Sequence, residues 1–130
     1  MHPDLLHLHN LEELDRLLLE SHTRPLLLFK HSYTCGVSAE ALDELVDHLN
    51  EDVLAAGMPE PQYAMVTVQT DRDVSNAVSK KLEIRHETPQ ALLVRDGRVI
   101  WSASHFRVTA DAMKKALTAR HEPRRAGEPR

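Results

Sequence analysis

Leu26-Leu27-Leu28-Phe29 is the stretch that most restricts the fold of this chain. Pro25 opens it, no polar residue interrupts it, and it has the length of a strand rather than of a helix. A continuous apolar run of that length suits a β-strand covered on both faces, and such strands sit in sheets sandwiched between helices. The flanking periodicity agrees. Asn10 is a good N-cap, and Leu11, Leu14, Leu17 and Leu18 recur at helical spacing to about Ser21. Beyond the run, Ala39, Ala41, Leu42, Leu45, Val46 and Leu49 mark a long amphipathic helix ending before Gly57 and Pro59.

The remaining elements follow by the same reading. Tyr63-Ala64-Met65-Val66-Thr67-Val68 is a second buried strand. Asp71 or Asp73 caps a third helix carrying Val74, Val78 and Leu82. Ala91-Leu92-Leu93-Val94 leads through Asp96-Gly97, a strong hairpin signal, into Arg98-Val99-Ile100-Trp101. There Trp101 alternates with Val99 and reads as core packing. Thr109 caps a last helix from Ala110 to about Arg120. Residues 1–121 then form one domain, and 122–130, with two prolines, a glycine and a single apolar alanine, read as a disordered tail.

Bulk properties exclude several classes. A chain of 130 residues forms one domain able to bury about two-thirds of its unfolded surface. A formal net charge of -4 argues against a nucleic-acid partner, and no apolar run approaches a membrane span. Met1 to Asn10 lacks the pattern of a secretory leader, and a single cysteine suits the reducing cytoplasm. The nine histidines are scattered; His7 and His9 lie in a segment expected to be too near the terminus for a rigid site, so no metal is expected.

The lone cysteine carries the chemistry. Cys35 stands in His31-Ser32-Tyr33-Thr34-Cys35-Gly36-Val37-Ser38, between the first strand and the long helix. The unpaired N–H groups and positive dipole end of a helix N-terminus favour thiolate over thiol. Ser38 occupies the place of the second sulfur in a C-x-x-C pair, so this loop offers one sulfur rather than two. Ser38 is expected either to hydrogen-bond that sulfur or to serve the backbone N–H groups of the first helical turn. Lys30 and His31, at the strand end, are each read as solvated.

Strands joined through helices, then a hairpin, give an α/β layout with a central mixed four-stranded sheet flanked by helices. That is the layout of a thioredoxin-like fold, with the cysteine loop at the carboxyl end of its strand, where open α/β sheets bind ligands. In thioredoxin-like proteins the position of Thr88-Pro89, just before a central strand, holds a cis-proline facing the reactive cysteine. The preceding residue's backbone is there free to pair with a substrate peptide.

The residues resemble the monothiol bacilliredoxin family, whose reactive motif is commonly T-C-P-[VI]-S and stands here as Thr34-Cys35-Gly36-Val37-Ser38. Further matching blocks are Leu28 to Ser32, Val74-Ser75-Asn76, His86 to Ala91, Asp96 to Trp101, Ser104-His105 and Val108 to Asp111. The resemblance covers about residues 8 to 118. It implies a cytoplasmic oxidoreductase that takes bacillithiol off S-bacillithiolated client proteins through Cys35, with bacillithiol as co-substrate and no tightly bound cofactor. Tyr33, Thr34, Gly36, Val37, Ser38, Thr88 and Pro89 would face the substrate. Arg107, in the loop with His105, would meet the carboxylates of the bacillithiol malate unit.

Gly36 in place of the usual proline brings the motif one residue from the Cys-Gly-Phe-Ser of monothiol glutaredoxins. Those proteins hold an iron–sulfur cluster or glutathione, usually with a Gly-Gly pair that this chain lacks. A non-catalytic thioredoxin-fold module using Cys35 as a redox switch is the remaining alternative. The client proteins, the reductant that clears Cys35 and the oligomeric state are not legible in the sequence.

Overall fold

The computed structural model describes residues 2–51 and 60–119. Its elements are β1 (Leu5–His7), α1 (Leu11–Glu20), β2 (Leu26–His31), α2 (Gly36–Leu49), β3 (Gln62–Thr67), α3 (Arg72–Lys81), β4 (Gln90–Arg95), β5 (Arg98–Ser104), a short 3-10 turn (His105–Arg107) and α4 (Ala110–Thr118). The expected tail 122–130, the end of the domain at residue 121 and the Gly57–Pro59 stop lie outside the described residues.

The sheet has five strands in the order β1-β3-β2-β4-β5, one more than expected. β1 and β2 both pair parallel with β3, while β4 is antiparallel to β2 and β5 to β4. The extra strand is Leu5–His7, three residues too short to show alternation, ordered by pairing with Tyr63–Met65. Its register also corrects the view of His7 and His9 as terminal and unanchored. His7 lies within β1, and the His9 ring is 3.2 Å from an Asp71 carboxylate oxygen.

β2 and β4 are buried on both faces, as their unbroken apolar runs require. Alternate residues feed two cores. Leu27, Phe29, Ala91 and Leu93 pack under α2 and α4 with Ala41, Leu45 and Met113. Leu26, Leu28, Leu92 and Val94 pack under α1 and α3 with Leu14, Leu17, Val74 and Val78. Each fully buried leucine of this kind contributes about 1.5–3 kcal/mol relative to exposure.

Local signals explain most boundaries. Asn10 caps α1 by accepting from the Glu13 N–H at 2.9 Å, and Thr109 caps α4 by accepting from the Ala112 N–H at 3.1 Å. Asp71 occupies the N-cap position of α3 but does not cap it, because its carboxylate is taken by His9 and by the Thr70 hydroxyl. Asp96 and Gly97 both have positive φ, 53° and 72°, as a tight hairpin turn between right-twisted strands demands. A register shift between Leu93 and Val94 places Val99 and Trp101 on opposite faces of the sheet. Their simple alternation is thereby broken, although Trp101 does pack against the α2–α4 core.

Candidate functional site

Cys35 is the N-cap residue of α2, with extended backbone (φ -111°, ψ 122°) and its thiol free and half-buried. A tight turn delivers it there, closed by the Cys35 N–H donating to the Ser32 carbonyl at 3.3 Å. The Cys35 carbonyl accepts the first helical bond, from the Ala39 N–H at 3.1 Å, and no acidic residue occupies the first turn. The sulfur therefore lies beside a helix N-terminus whose positive end faces no local carboxylate from that turn.

Ser38 sits one turn below and is fully buried. Its Oγ accepts the Ser32 N–H at 2.9 Å and lies 2.8 Å from His31 Nδ1. The hydroxyl is thus committed to the end of β2, and not to the sulfur or to the N–H groups of its own helix. Burial, with the nearby His7 as a smaller cause, holds His31 below the usual histidine range. A neutral ring with its proton on Nε2 can accept from the Ser38 hydroxyl.

Lys30 is not the solvated strand-end residue the sequence suggests. Its side chain is 0% exposed and points to the α1–α3 side, where Nζ donates to Ser79 Oγ at 2.7 Å and to His86 Nδ1 at 3.0 Å. Desolvation lowers its pKa to about 8. Burial, then the Lys30 and Arg72 charges, lower that of His86, which suits an unprotonated Nδ1 accepting from the lysine. Among the described residues no carboxylate pairs with Lys30.

Gln69 was not singled out by any motif, yet it grips the cysteine turn. Its Nε2 donates to Ser32 Oγ at 2.7 Å and to Thr34 Oγ1 at 3.2 Å, while its Oε1 accepts the Tyr33 N–H at 3.3 Å. Only its position in the turn after β3, the strand beside β2, makes this possible. No spacing along the chain announces it.

The other expected site residues divide. Tyr33 is 63% exposed beside the cysteine, Thr34 and Gly36 are exposed, and Val37 is half-buried. A Cβ built at Gly36 meets nothing within 4 Å, so no steric demand fixes glycine there. The Thr88–Pro89 bond is cis, and Pro89 precedes Gln90, the partner of Lys30 across β2 and β4. The Pro89 carbonyl accepts the His105 N–H at 2.9 Å, tying the 3-10 turn to the proline. Phe106 in that turn is 73% exposed and shares a groove with Val37 and Val108. Arg107 opens on a neighbouring depression with Glu87 and Ser102, with His105 and Phe106 as the common wall. The structure thus brings Val37 and Phe106 together and sets Arg107 one groove further out.

Comparison with known proteins agrees with this geometry. A thioredoxin-fold protein proposed to be an oxidoreductase is similar over 86% of this chain and 92% of its own, at 26% identity and a TM-score of 0.71. Thioredoxin from Fasciola hepatica is similar over 87% of this chain and 96% of its own, at 18% identity and TM-score 0.65. A variant thioredoxin from Halobacterium salinarum NRC-1 is similar over 94% and 98%, at 21% identity and TM-score 0.65. These fix a thioredoxin fold. The family model for monothiol bacilliredoxin BrxC matches residues 6–113, which include the cysteine turn, the cis-proline and the 3-10 turn. A thioredoxin-fold chain with one reactive-loop sulfur, matched over most of its length, belongs to the monothiol bacilliredoxin family, a family of thiol oxidoreductases.

Proposed function

We propose that this protein removes bacillithiol from S-bacillithiolated client proteins through Cys35. The observation that carries the reading is the free, half-buried Cys35 at the α2 N-terminus, with the Ser38 hydroxyl bound away at the strand end. The Cys35 thiolate attacks the bacillithiol sulfur of the client mixed disulfide. A bond forms between that sulfur and Cys35 as the client S–S bond breaks, and the client cysteine leaves as thiolate and takes a proton from water. Cys35 is left oxidised as a mixed disulfide with bacillithiol. Ser38 offers no second thiol, so an external thiolate attacks the bacillithiol sulfur, forms a disulfide with it as the Cys35 S–S bond breaks, and releases Cys35 as thiolate.

The surrounding residues fit the two partners. Tyr33, Thr34, Gly36 and Val37 flank Cys35 in the chain and are exposed or half-buried, and Thr88 and Pro89 precede the strand paired with β2, which supports assigning all of them to client and bacillithiol contact. Arg107 is exposed and makes no ion pair among the described residues, which leaves its planar guanidinium available to the malate carboxylates. The low-molecular-weight thiol is co-substrate, with no tightly held cofactor. The reducing cytoplasm is the compartment where this exchange serves. No described helix is long and apolar enough to cross a membrane.

The test follows the sulfur. The protein is mixed with a client carrying bacillithiol, and separately with the same client carrying glutathione, and intact mass records where each adduct goes. Bacillithiol moving rapidly onto Cys35, with Cys35→Ser inert, is the expected result. Movement of glutathione alone would replace this reading with a glutaredoxin-like one. No movement of either, in folded protein, would leave a redox switch or interaction module.

A further inference from the structure

We infer that Gln69 is a positioning residue for the reaction of Cys35: its side-chain amide clamps the Ser32–Cys35 turn in the one conformation that presents the sulfur to a docked client. The inference rests on the thiol-transfer reading above but adds a residue that no motif contains. Every polar atom of the Gln69 amide is spent on this turn. Nε2 donates to the Ser32 and Thr34 hydroxyls, and Oε1 accepts the Tyr33 N–H. Ser32 Oγ and Thr34 Oγ1 also lie 3.3 Å apart, so the amide closes a small ring of hydrogen bonds over three consecutive residues.

Apart from the Cys35 carbonyl, which accepts the Ala39 N–H to start α2, the turn has two other polar anchors among the described residues. One is the Ser38 hydroxyl holding the Ser32 N–H from below; the other is the Cys35 N–H on the Ser32 carbonyl. Both hold the feet of the turn. Tyr33 and Thr34, its exposed tip, are held through Gln69. The clamp itself sits on a firm base, since the Val68 N–H donates to the His31 carbonyl at 2.9 Å and extends the β2–β3 ladder to the residue before Gln69.

The chemical reason for such a clamp is directional. Thiolate attack on a disulfide proceeds in line with the bond that breaks, so a docked client reacts only when the sulfur points along that line. A small reagent that approaches from any side does not impose the condition. Loosening the turn should therefore slow transfer from a protein client far more than it slows capture by a small electrophile.

Gln69→Met keeps the length and volume of the side chain and removes all three bonds. Gln69→Glu keeps an acceptor for the Tyr33 N–H and for both hydroxyls. In Gln69→Met, transfer of bacillithiol from the protein client is expected to slow about tenfold. Alkylation of Cys35 by iodoacetamide should change less than about twofold, and the Tyr33 amide should lose its protection from hydrogen exchange. Gln69→Glu should recover that protection. Transfer by Gln69→Met at the wild-type rate overturns the inference. So does an equal slowing of transfer and alkylation, the mark of a general structural defect. Should the wild type move no bacillithiol, the functional reading fails by itself. A client activated with 5-thio-2-nitrobenzoate on its cysteine reacts with any exposed thiol, and the wild-type to Gln69→Met ratio on that client then decides the positioning role.

Discussion

Two consecutive residues at the end of β2 meet opposite fates. Lys30 turns to the α1–α3 side and buries a cationic amine against one hydroxyl and one imidazole nitrogen. His31 turns to the α2–α4 side, where its ring meets the Ser38 hydroxyl beneath the cysteine turn and stacks near Phe29 at 6.0 Å. Both are bases that the fold holds in favour of the neutral form. The difference lies in what each supports. His31 belongs to the foundation of the reactive loop, whereas Lys30 links β2 to α3 and to the His86 segment before the cis-proline. One face of the sheet holds the chemistry, and the other carries an electrostatic cost.

That cost gives the largest way to test the contrast. The folded pKa of Lys30, about 8, lies below its ordinary 10.5, so the unfolded chain binds more protons between those values. Stability contributed through Lys30 therefore rises with pH across that window and is lowest below it. The shift corresponds to on the order of 3 kcal/mol. Lys30→Met should be more stable than wild type near pH 7 by up to about that amount, the gain closing as pH approaches 10.5. Urea denaturation at several pH values measures it; parallel stability curves for the two proteins would show that burial of this amine costs nothing. Thiol transfer should change little.

The opposite face predicts a smaller loss of stability and a larger effect on the loop. Ser38→Ala leaves the buried Ser32 N–H without its acceptor, at a cost of about 1–3 kcal/mol. His31 loses a partner but keeps the burial that lowers its pKa from 6.5, so the stability lost through it as pH falls below that value should persist in the variant. A denaturation midpoint identical to wild type would mean that the Ser32 N–H does not depend on the Ser38 hydroxyl.

The smallest effect lies at the junction of loop and helix. Gly36 is the first residue of α2, a Cβ there meets nothing within 4 Å, and Cys35 already has the extended backbone that a following proline imposes. Gly36→Pro should fold and gain about 0.4–1 kcal/mol, read as a modest rise in Tm. Destabilisation would show that the turn needs backbone freedom at this position, and that the cysteine loop is less rigid than its hydrogen bonds imply.

Local signals reached far into this fold because most elements carry their own pattern. The strands β2 and β4 announce themselves as unbroken apolar runs, α1 and α4 by true caps at Asn10 and Thr109, and the hairpin by Asp96-Gly97. β1 escaped because three residues hold no period, and its order comes from the neighbouring β3. The side of the hairpin that Val99 presents escaped because a bulge changes the alternation. Within the site, the cysteine, the serine three residues on and the Thr88-Pro89 step were legible as motifs. Gln69 was not, since its partners lie 35 to 37 residues away.

The sequence by itself therefore determined the α/β class, the strand that ends in the cysteine loop, the single sulfur at a helix N-terminus and the family these imply. Periodicity, caps and short motifs are local, and local information suffices for them. Only the tertiary structure decided that Lys30 is buried, that Ser38 serves the strand instead of the sulfur, that Arg107 stands one groove away, and that Gln69 holds the turn. Those facts depend on which strands become neighbours and which face each residue turns to. Packing settles such matters among residues far apart in the chain, and hydrogen bonds fall to whichever polar groups that packing leaves together.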